Sequence, residues 1–360
     1  MTVSAPAPAR TRFHTLTVAD VTRLCEDAVA ITFDVPEHLA AEYAYLPGQS
    51  LIVRRVIDGV EERRNYSICA PAGAKPRIGV RQIPDGLFST WLVHQVRPGD
   101  RIDVSTPTGS FTPDVDVPAH HVLIVAGSGI TPALSIAASV LEHPETTVTM
   151  LYGNRRTSTV MFADELADLK DRYPQRFTLI HVLSREPRDV ELFSGRLDAD
   201  RVRAIMPLLG GTDQADHWWL CGPFGMVTDI QQMLRSEGVP RERIHQELFY
   251  VGDLPPEPVR HPEPEVEGAS SEVVIRLDGR TTTVVTPRHS SILDGAQRAR
   301  PDLPFACKGG VCGTCRARVT DGKVDMRRNF ALEDDEVDAG FVLTCQSYPV
   351  SERVTVDYDA

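Results

Sequence analysis

"FACKGGVCGTCRARVTDGK", Phe305 to Lys323, sets three of the chain's seven cysteines within nine residues. A fourth stands downstream in "FVLTCQSYP", at Cys345. Together Cys307, Cys312, Cys315 and Cys345 read C-x4-C-x2-C-x29-C. The first three positions have the spacing of a two-iron two-sulfur site, and the last supplies a distant fourth thiolate. Gly309, Gly310 and Gly313 suit a tight loop around an anionic centre, because glycine takes positive φ and lets backbone N–H groups face sulfur. A structural zinc site is the alternative. Zinc ligands usually come as paired short knuckles, whereas here the spacing is four, then two, then a lone cysteine.

Upstream of this loop the clearest break is "GDLPPEPVRHPEPEVEGASSE", Gly252 to Glu272, where prolines and glutamates replace apolar periodicity and predict an extended, semi-rigid linker. Between about Phe13 and Pro118, short alternating runs such as "AVAITFDV", "QSLIVRRV" and "RIGVRQI" are broken by turn residues, the pattern of a closed antiparallel barrel. One helix is expected within "GLFSTWLVHQV". From His120 onward, apolar runs alternate with amphipathic segments, as in "HHVLIVAGSG", "TVTMLYGN" and "DHWWLCGP", which predicts a parallel sheet covered on both faces. The expected division is a flexible N-terminus at 1–12, a barrel at 13–118, an α/β nucleotide-binding domain at 119–251, the linker at 252–271 and a cluster-bearing domain at 272–360.

Each upstream domain carries a motif with chemistry in it. In "RRNYSI", Arg64 suits a pyrophosphate and Tyr66 a flat ring, and "GLFST" opens the single helix, whose N-terminal N–H groups suit phosphate. Alone, this short match also fits an ordinary barrel strand. "VLIVAGSGITPALS" is an apolar strand, a glycine turn and a helix start: Gly127 and Gly129 allow close approach of a pyrophosphate, and Thr131 and Pro132 begin a helix whose positive end favours anions. Later "WWLCGPFGM" supplies a second strand–turn–helix crossing, with Cys221 and Gly222 at its turn. A buried small hydrophobe is the plain alternative for Cys221.

In combination these segments resemble known families. Val273 to Asp359, down to "ACKGGVCGTC" and "LTCQ", resembles plant-type ferredoxin domains, which implies a β-grasp fold and one-electron transfer. The upstream pair resembles the ferredoxin-NADP reductase family. That resemblance implies that Arg64 and the turn Gly86, Leu87, Phe88 and Ser89 hold the FAD pyrophosphate, with Arg81 a further candidate for the same phosphates. It also implies that Tyr66 packs on the isoalloxazine, with Ser67 near the flavin N5. Cys221 is implied beside the nicotinamide C4, and Glu247, in "HQELFY", at the flavin edge. Phe249 either covers the flavin or belongs to the core. Arg155 and Arg156 in "YGNRRTS" and Ser184 and Arg185 in "VLSRE" stand where an NADH enzyme more often has an acidic residue, and Ser184-Arg185 resembles the phosphate-reading pair of plant-type reductases. NADPH is therefore expected ahead of NADH, the alternative being that these arginines are solvated loop-end charges.

The module order resembles the reductase components of bacterial multicomponent oxygenases, so FAD, a 2Fe-2S cluster and NADPH are the expected cofactors and an oxygenase component the expected partner. Within that family the chain is most similar to reductases serving phenylacetyl-CoA epoxidation in phenylacetate catabolism. Reductases of steroid-ring and aromatic-ring Rieske oxygenases are the alternative, and a redox sensor or scaffold without turnover is a second class. Net charge of −12 and pI near 5.4 disfavour nucleic acid and anionic lipid as partners. With no apolar run of membrane-spanning length and no secretory leader pattern, a cytoplasmic location is expected. The run Glu333-Asp334-Asp335-Glu336 reads either as a solvated helix start or as a docking patch.

Overall fold

Strand β1 (Phe13–Cys25) buries Leu16 and Val18 at alternate positions, the period of a strand with one face in a core. The computed structural model describes residues 12–57, 60–249, 270–332 and 334–360, which belong to two packing units, 12–249 and 270–360. The expected N-terminal arm before Arg12 and the linker at 252–269 lie outside the described residues.

In the first unit β1 is followed by β2 (Ala28–Asp34), β3 (Ser50–Ile57), β4 (Val60–Ser67), β5 (Arg77–Arg81), helix α1 (Leu87–His94) and β6 (Arg101–Ser105). The strands pair antiparallel in the order β4-β3-β6-β1-β2-β5. An antiparallel bridge between Ile68 and Ile78, with Cys69 N–H donating to the Arg77 carbonyl at 2.8 Å, joins the two ends and closes the barrel. Leu51, Val53, Ile78, Val80 and Val104 fill its interior, and α1 contributes Phe88 and Leu92. In the first turn of the expected helix, after Gly86, Leu87 is exposed while Phe88 and Ser89 are buried.

The same unit continues with β7 (His120–Ala126), α2 (Ile130–Val140), β8 (Thr147–Asn154), α3 (Ala163–Arg172), β9 (Phe177–Leu183), α4 (Ala199–Ile205), β10 (His217–Gly222), α5 (Phe224–Ser236) and β11 (Ile244–Leu248). All five strands are parallel, in the order β11-β10-β7-β8-β9. The direction of winding reverses between β7 and β10, and the crevice beyond their carboxyl ends is where open α/β sheets bind ligands. There the chain passes too close for any side chain at Gly129: a Cβ would lie 2.2 Å from the Cys221 carbonyl oxygen and 2.6 Å from its carbon. Both are backbone atoms with no soft way to yield. Gly129→Ala is expected to destabilise the 12–249 unit by about 3 kcal/mol, read as a lowered thermal midpoint with nicotinamide binding lost in parallel.

The second unit contains β12 (Ser270–Leu277), β13 (Arg280–Pro287), α6 (Ile292–Ala296), β14 (Arg316–Asp321), β15 (Val324–Met326), α7 (Asp334–Asp338), β16 (Phe341–Leu343), β17 (Ser347–Pro349) and β18 (Arg353–Asp357). Its mixed sheet runs β13-β12-β18-β14-β16, with β12 and β18 parallel. Helix α6 is capped by Ser291, whose Oγ accepts from Asp294 N–H, and it buries Ile292, Leu293 and Ala296. This is the expected cluster-domain architecture. Its boundary is earlier than composition suggested: Ser270 and Ser271 belong to β12, and buried Ser271 donates its hydroxyl to the Ser351 carbonyl at 2.6 Å. A polar residue satisfied by backbone carries no apolar signal, so the strand start was hidden.

Candidate redox-cofactor sites

Three remote segments meet at the reversal point. Ser67 ends β4, Cys221 lies near the end of β10, and Glu247 is its register partner on the parallel strand β11. Ser67 Oγ donates to Glu247 Oε2 at 2.9 Å, linking barrel to nucleotide domain across 180 residues of sequence. Burial pushes the Glu247 carboxyl up to about 7, and the Ser67 hydroxyl only partly offsets this. Burial, and then the nearby Glu247 charge, push the fully buried Cys221 thiol well above the usual range, so it stands there as a neutral group. The three residues expected to be catalytic are thus brought together. Phe249 is half-buried and packs on the core that includes Ala28, Leu123 and Cys221.

Around Ser67 lie the residues expected to hold a flavin diphosphate. Tyr66 lies nearly parallel to Phe88, ring centroids 6.4 Å apart, and its phenol is raised by burial. Arg64 stands 5.7 Å over the Phe88 ring, its Nη1 held by Glu62 at 2.9 Å and by the Arg63 carbonyl at 2.7 Å. In the turn before α1, Ser89 Oγ accepts from Ile83 N–H and donates to the Gly86 carbonyl. A Cβ on Gly86 would strike that hydroxyl at 2.7 Å. Ser89 therefore shapes the turn, while the N–H groups of Leu87 and Phe88 precede the first intrahelical bond and suit an anion. Arg81 lies elsewhere: its Nε is 3.3 Å from the Asp27 carboxylate, it donates to the Thr159 carbonyl, and its Nη1 is 3.4 Å from where a Gly127 Cβ would be. These contacts set it beside the glycine turn of the nucleotide domain.

That turn is a short 3-10 segment, Gly127–Gly129, leading into α2. Gly127 has φ of +56°, a left-handed conformation that glycine takes without strain. Thr131 Oγ1 donates to the Ser128 carbonyl at 2.9 Å, and Pro132 occupies the first helical turn, where its missing N–H costs nothing. At Gly222 a Cβ would meet Met226 Cε at 2.6 Å. Sequence reasoning missed Tyr152, whose buried hydroxyl donates to the Gly127 carbonyl at 3.0 Å and accepts from Met161 N–H. It gave no signal because a strand tyrosine reads as one more apolar residue.

At the carboxyl ends of β8 and β9, two loops run side by side. Ser184 N–H donates to the Asn154 carbonyl at 2.9 Å and Arg185 N–H to the Arg155 carbonyl at 2.8 Å. Arg155, Arg156 and Arg185 are all exposed there, and Ser184 is half-buried. No carboxylate pairs with these three guanidinium groups among the described residues.

In the second unit the four cysteines stand as two pairs, Cys307 with Cys312 and Cys315 with Cys345, each within hydrogen-bonding reach. Contact with Cys312 and the N–H groups of Gly309, Val311 and Cys312 hold the Cys307 thiol well below the usual range; Cys315 and the Gly310 N–H lower that of Cys345. Gly310 and Gly313 have φ of +83° and +67°. Among the described residues no three donors close on a single ion. Two pairs suit two irons, each taking two thiolates, so the donor set fits a 2Fe-2S cluster and not one zinc. Asn329 was not anticipated: its Oδ1 accepts from Ala331 and Leu332 N–H, its Nδ2 donates to the Leu332 carbonyl, and the strap it closes bonds the cluster loop through Phe330 N–H to the Gly310 carbonyl at 3.1 Å. Of the acidic run, Asp334 to Glu336 begin α7, Glu336 pairs with Arg316 at 2.9 Å, and Glu333 lies outside the described residues.

Three family models match in chain order: an oxidoreductase FAD-binding domain at residues 15–112, an oxidoreductase NAD-binding domain at 123–232, and a 2Fe-2S iron-sulfur cluster binding domain at 275–350. The chain is 41% identical to a subunit of the 1,2-phenylacetyl-CoA epoxidase of Escherichia coli, over 97% of this chain and 99% of that one. It is 32% identical to the ferredoxin reductase component of 3-ketosteroid-9-alpha-monooxygenase from Rhodococcus rhodochrous, over 98% of each. Among solved structures, phthalate dioxygenase reductase shares the fold, with a TM-score of 0.59 and 23% identity over 96% of this chain and 98% of that one. No helix among the described residues is long and apolar enough to cross a membrane.

Proposed function

We propose that this chain, which belongs to the family of FAD-, NAD- and 2Fe-2S-domain reductase components of multicomponent oxygenases, delivers electrons from NADPH to the oxygenase component of a phenylacetyl-CoA epoxidase. The observation that carries the redox chemistry is the meeting of Ser67, Cys221 and Glu247 at the sheet's reversal point. A flavin held there would supply the change from two-electron hydride chemistry to single-electron transfer, and a cluster held by Cys307, Cys312, Cys315 and Cys345 would supply one-electron carriage.

The chain's own groups have distinct tasks. Cys221, neutral and buried, gives the nicotinamide an uncharged, water-free wall. Glu247, poised near neutrality and bonded to Ser67, takes or gives a proton at the flavin edge. Arg64 and the Leu87 and Phe88 N–H groups neutralise the flavin diphosphate, and Tyr66 packs on the ring system. For the partner, 41% identity to the epoxidase component against 32% to the ketosteroid monooxygenase reductase supports an acyl-CoA epoxidase ahead of a steroid oxygenase.

The choice of NADPH rests on Ser184, Arg185, Arg155 and Arg156, gathered at one sheet edge without carboxylate partners. A charge-assisted bond contributes roughly 1.5–3 kcal/mol. Arg185→Ala is accordingly expected to raise the KM for NADPH by about ten- to a hundred-fold while the KM for NADH moves little, as steady-state cytochrome c reduction would reveal.

Mixing the purified protein with the oxygenase components of phenylacetyl-CoA epoxidase, NADPH or NADH, and substrate tests the whole reading. Epoxide formed in proportion to NADPH oxidised supports it. Fast cytochrome c reduction without epoxide moves the partner to a steroid or aromatic-ring oxygenase.

A further inference from the structure

We propose that Glu186 is a positioning residue for nucleotide selection, a clamp that holds together the two loops carrying the 2′-phosphate-reading arginines. The proposal rests on the NADPH reading given above.

A carboxylate is out of place at this sheet edge. It lies on the loop after β9, next to Arg185, and its ordinary effect would be to repel a phosphate or to occupy an arginine. It does neither. Glu186 Oε2 accepts from Thr157 N–H at 2.8 Å and Oε1 from Thr157 Oγ1 at 2.7 Å. Those two bonds, ahead of the Arg188 and Arg156 charges, hold its carboxyl below the usual range, so it stays ionised and committed to Thr157.

Thr157 is the residue through which the clamp acts. It follows Arg155 and Arg156 directly and starts the 3-10 turn Thr157–Thr159. That turn is itself closed on Arg156: Arg156 N–H donates to Thr159 Oγ1 at 3.2 Å, and Thr159 Oγ1 donates to the Arg156 carbonyl at 2.8 Å. On the other side, Ser184 and Arg185 are tied by backbone to Asn154 and Arg155. The Glu186–Thr157 bonds therefore close the far end of a ladder that the strands leave open. Without them the two arginine-bearing loops are joined only at their roots. A doubly bonded carboxylate fixes direction as well as distance, and the three arginines remain uncommitted for an anion.

The test compares Glu186→Gln with Glu186→Ala in the full-length holoprotein. Glutamine can accept from Thr157 N–H through Oε1 and donate to Thr157 Oγ1 through Nε2, so it keeps the clamp and removes the charge. Alanine removes both. Three readouts are taken: KM and kcat for NADPH, KM and kcat for NADH, and calorimetric binding of 2′,5′-ADP. Expected for Glu186→Ala is a rise of about tenfold in the KM for NADPH and a matching weakening of 2′,5′-ADP binding. Its kcat at saturating NADPH should fall less than about twofold and its KM for NADH change little. Glu186→Gln should restore wild-type values. If both variants tighten NADPH, the carboxylate acts as a bare charge and the clamp is overturned. If both weaken NADPH and NADH equally, Glu186 supports the domain at large and the proposal also fails. A wild-type protein that binds 5′-ADP as well as 2′,5′-ADP would instead overturn the NADPH reading beneath it.

Discussion

The Cys345→Ala protein is expected to lose its cluster and with it all electron delivery through the 270–360 unit. Loss of a partner that merely supports a metal ligand costs about 10- to 100-fold in affinity, and loss of a thiolate itself costs more. Cys345 is also the ligand furthest in sequence from the rest, so its removal leaves Cys315 unpaired while Cys307 and Cys312 remain together. Iron content and the visible bands of the cluster should fall to background, and cytochrome c reduction with them. Ferricyanide, which accepts electrons from flavin directly, should still be reduced at a rate within about twofold of wild type, since the 12–249 unit keeps its own core. A protein that retained cytochrome c reduction would place the electron outlet at the flavin and remove the cluster from the pathway.

Glu247→Gln is expected to slow flavin reduction by NADPH by about a hundredfold, the usual size of a lost acid–base group, with stopped-flow absorbance as the readout. The wild-type rate should change with pH around 7, where the Glu247 carboxyl titrates, and the variant should lose that inflection. Stability carries the same signature with a definite sign. Because the folded carboxyl holds its proton up to about 7 against an ordinary value of 4.5, the folded state binds more protons than the unfolded chain between those values. Stability from this group is present at low pH and lost as pH rises through that window. The difference between wild type and Glu247→Gln should therefore shift by about 2–3 kcal/mol between pH 5 and pH 8, in the direction that favours the variant at high pH. Parallel pH profiles for the two proteins would mean that Glu247 is not buried as its bond to Ser67 implies.

Legibility in the sequence divided along a physical line. The cysteine spacing, the apolar strand runs and the glycine turn were readable because each is a local constraint. Gly127 needs positive φ within its own turn, and Cys307, Cys312 and Cys315 share one loop. Contacts made across the fold left no local trace. Ser67 and Glu247 are separated by 180 residues, and only resemblance joined them before the 2.9 Å bond did. Arg81 was a candidate for the flavin phosphates through resemblance alone, and nothing local in its strand announced that its side chain reaches Gly127 and Thr159. The strictness of Gly129 arises from a backbone 92 residues away, at Cys221. Glu186 gave no sign of its bonds to Thr157, since a glutamate in a loop ordinarily faces water.

The placing of β18 has a consequence for how the protein is made. This strand, at Arg353–Asp357, lies in the middle of its sheet, between β12 and β14, and pairs parallel with the first strand of the unit. A chain leaving the ribosome therefore exposes Cys307, Cys312 and Cys315 before either Cys345 or the central strand exists. For that interval the three thiols sit in an unfinished sheet whose β12 and β14 have no common neighbour. The fourth thiolate, Cys345, and the strand that completes the sheet are thus both supplied by the segment after Gly340.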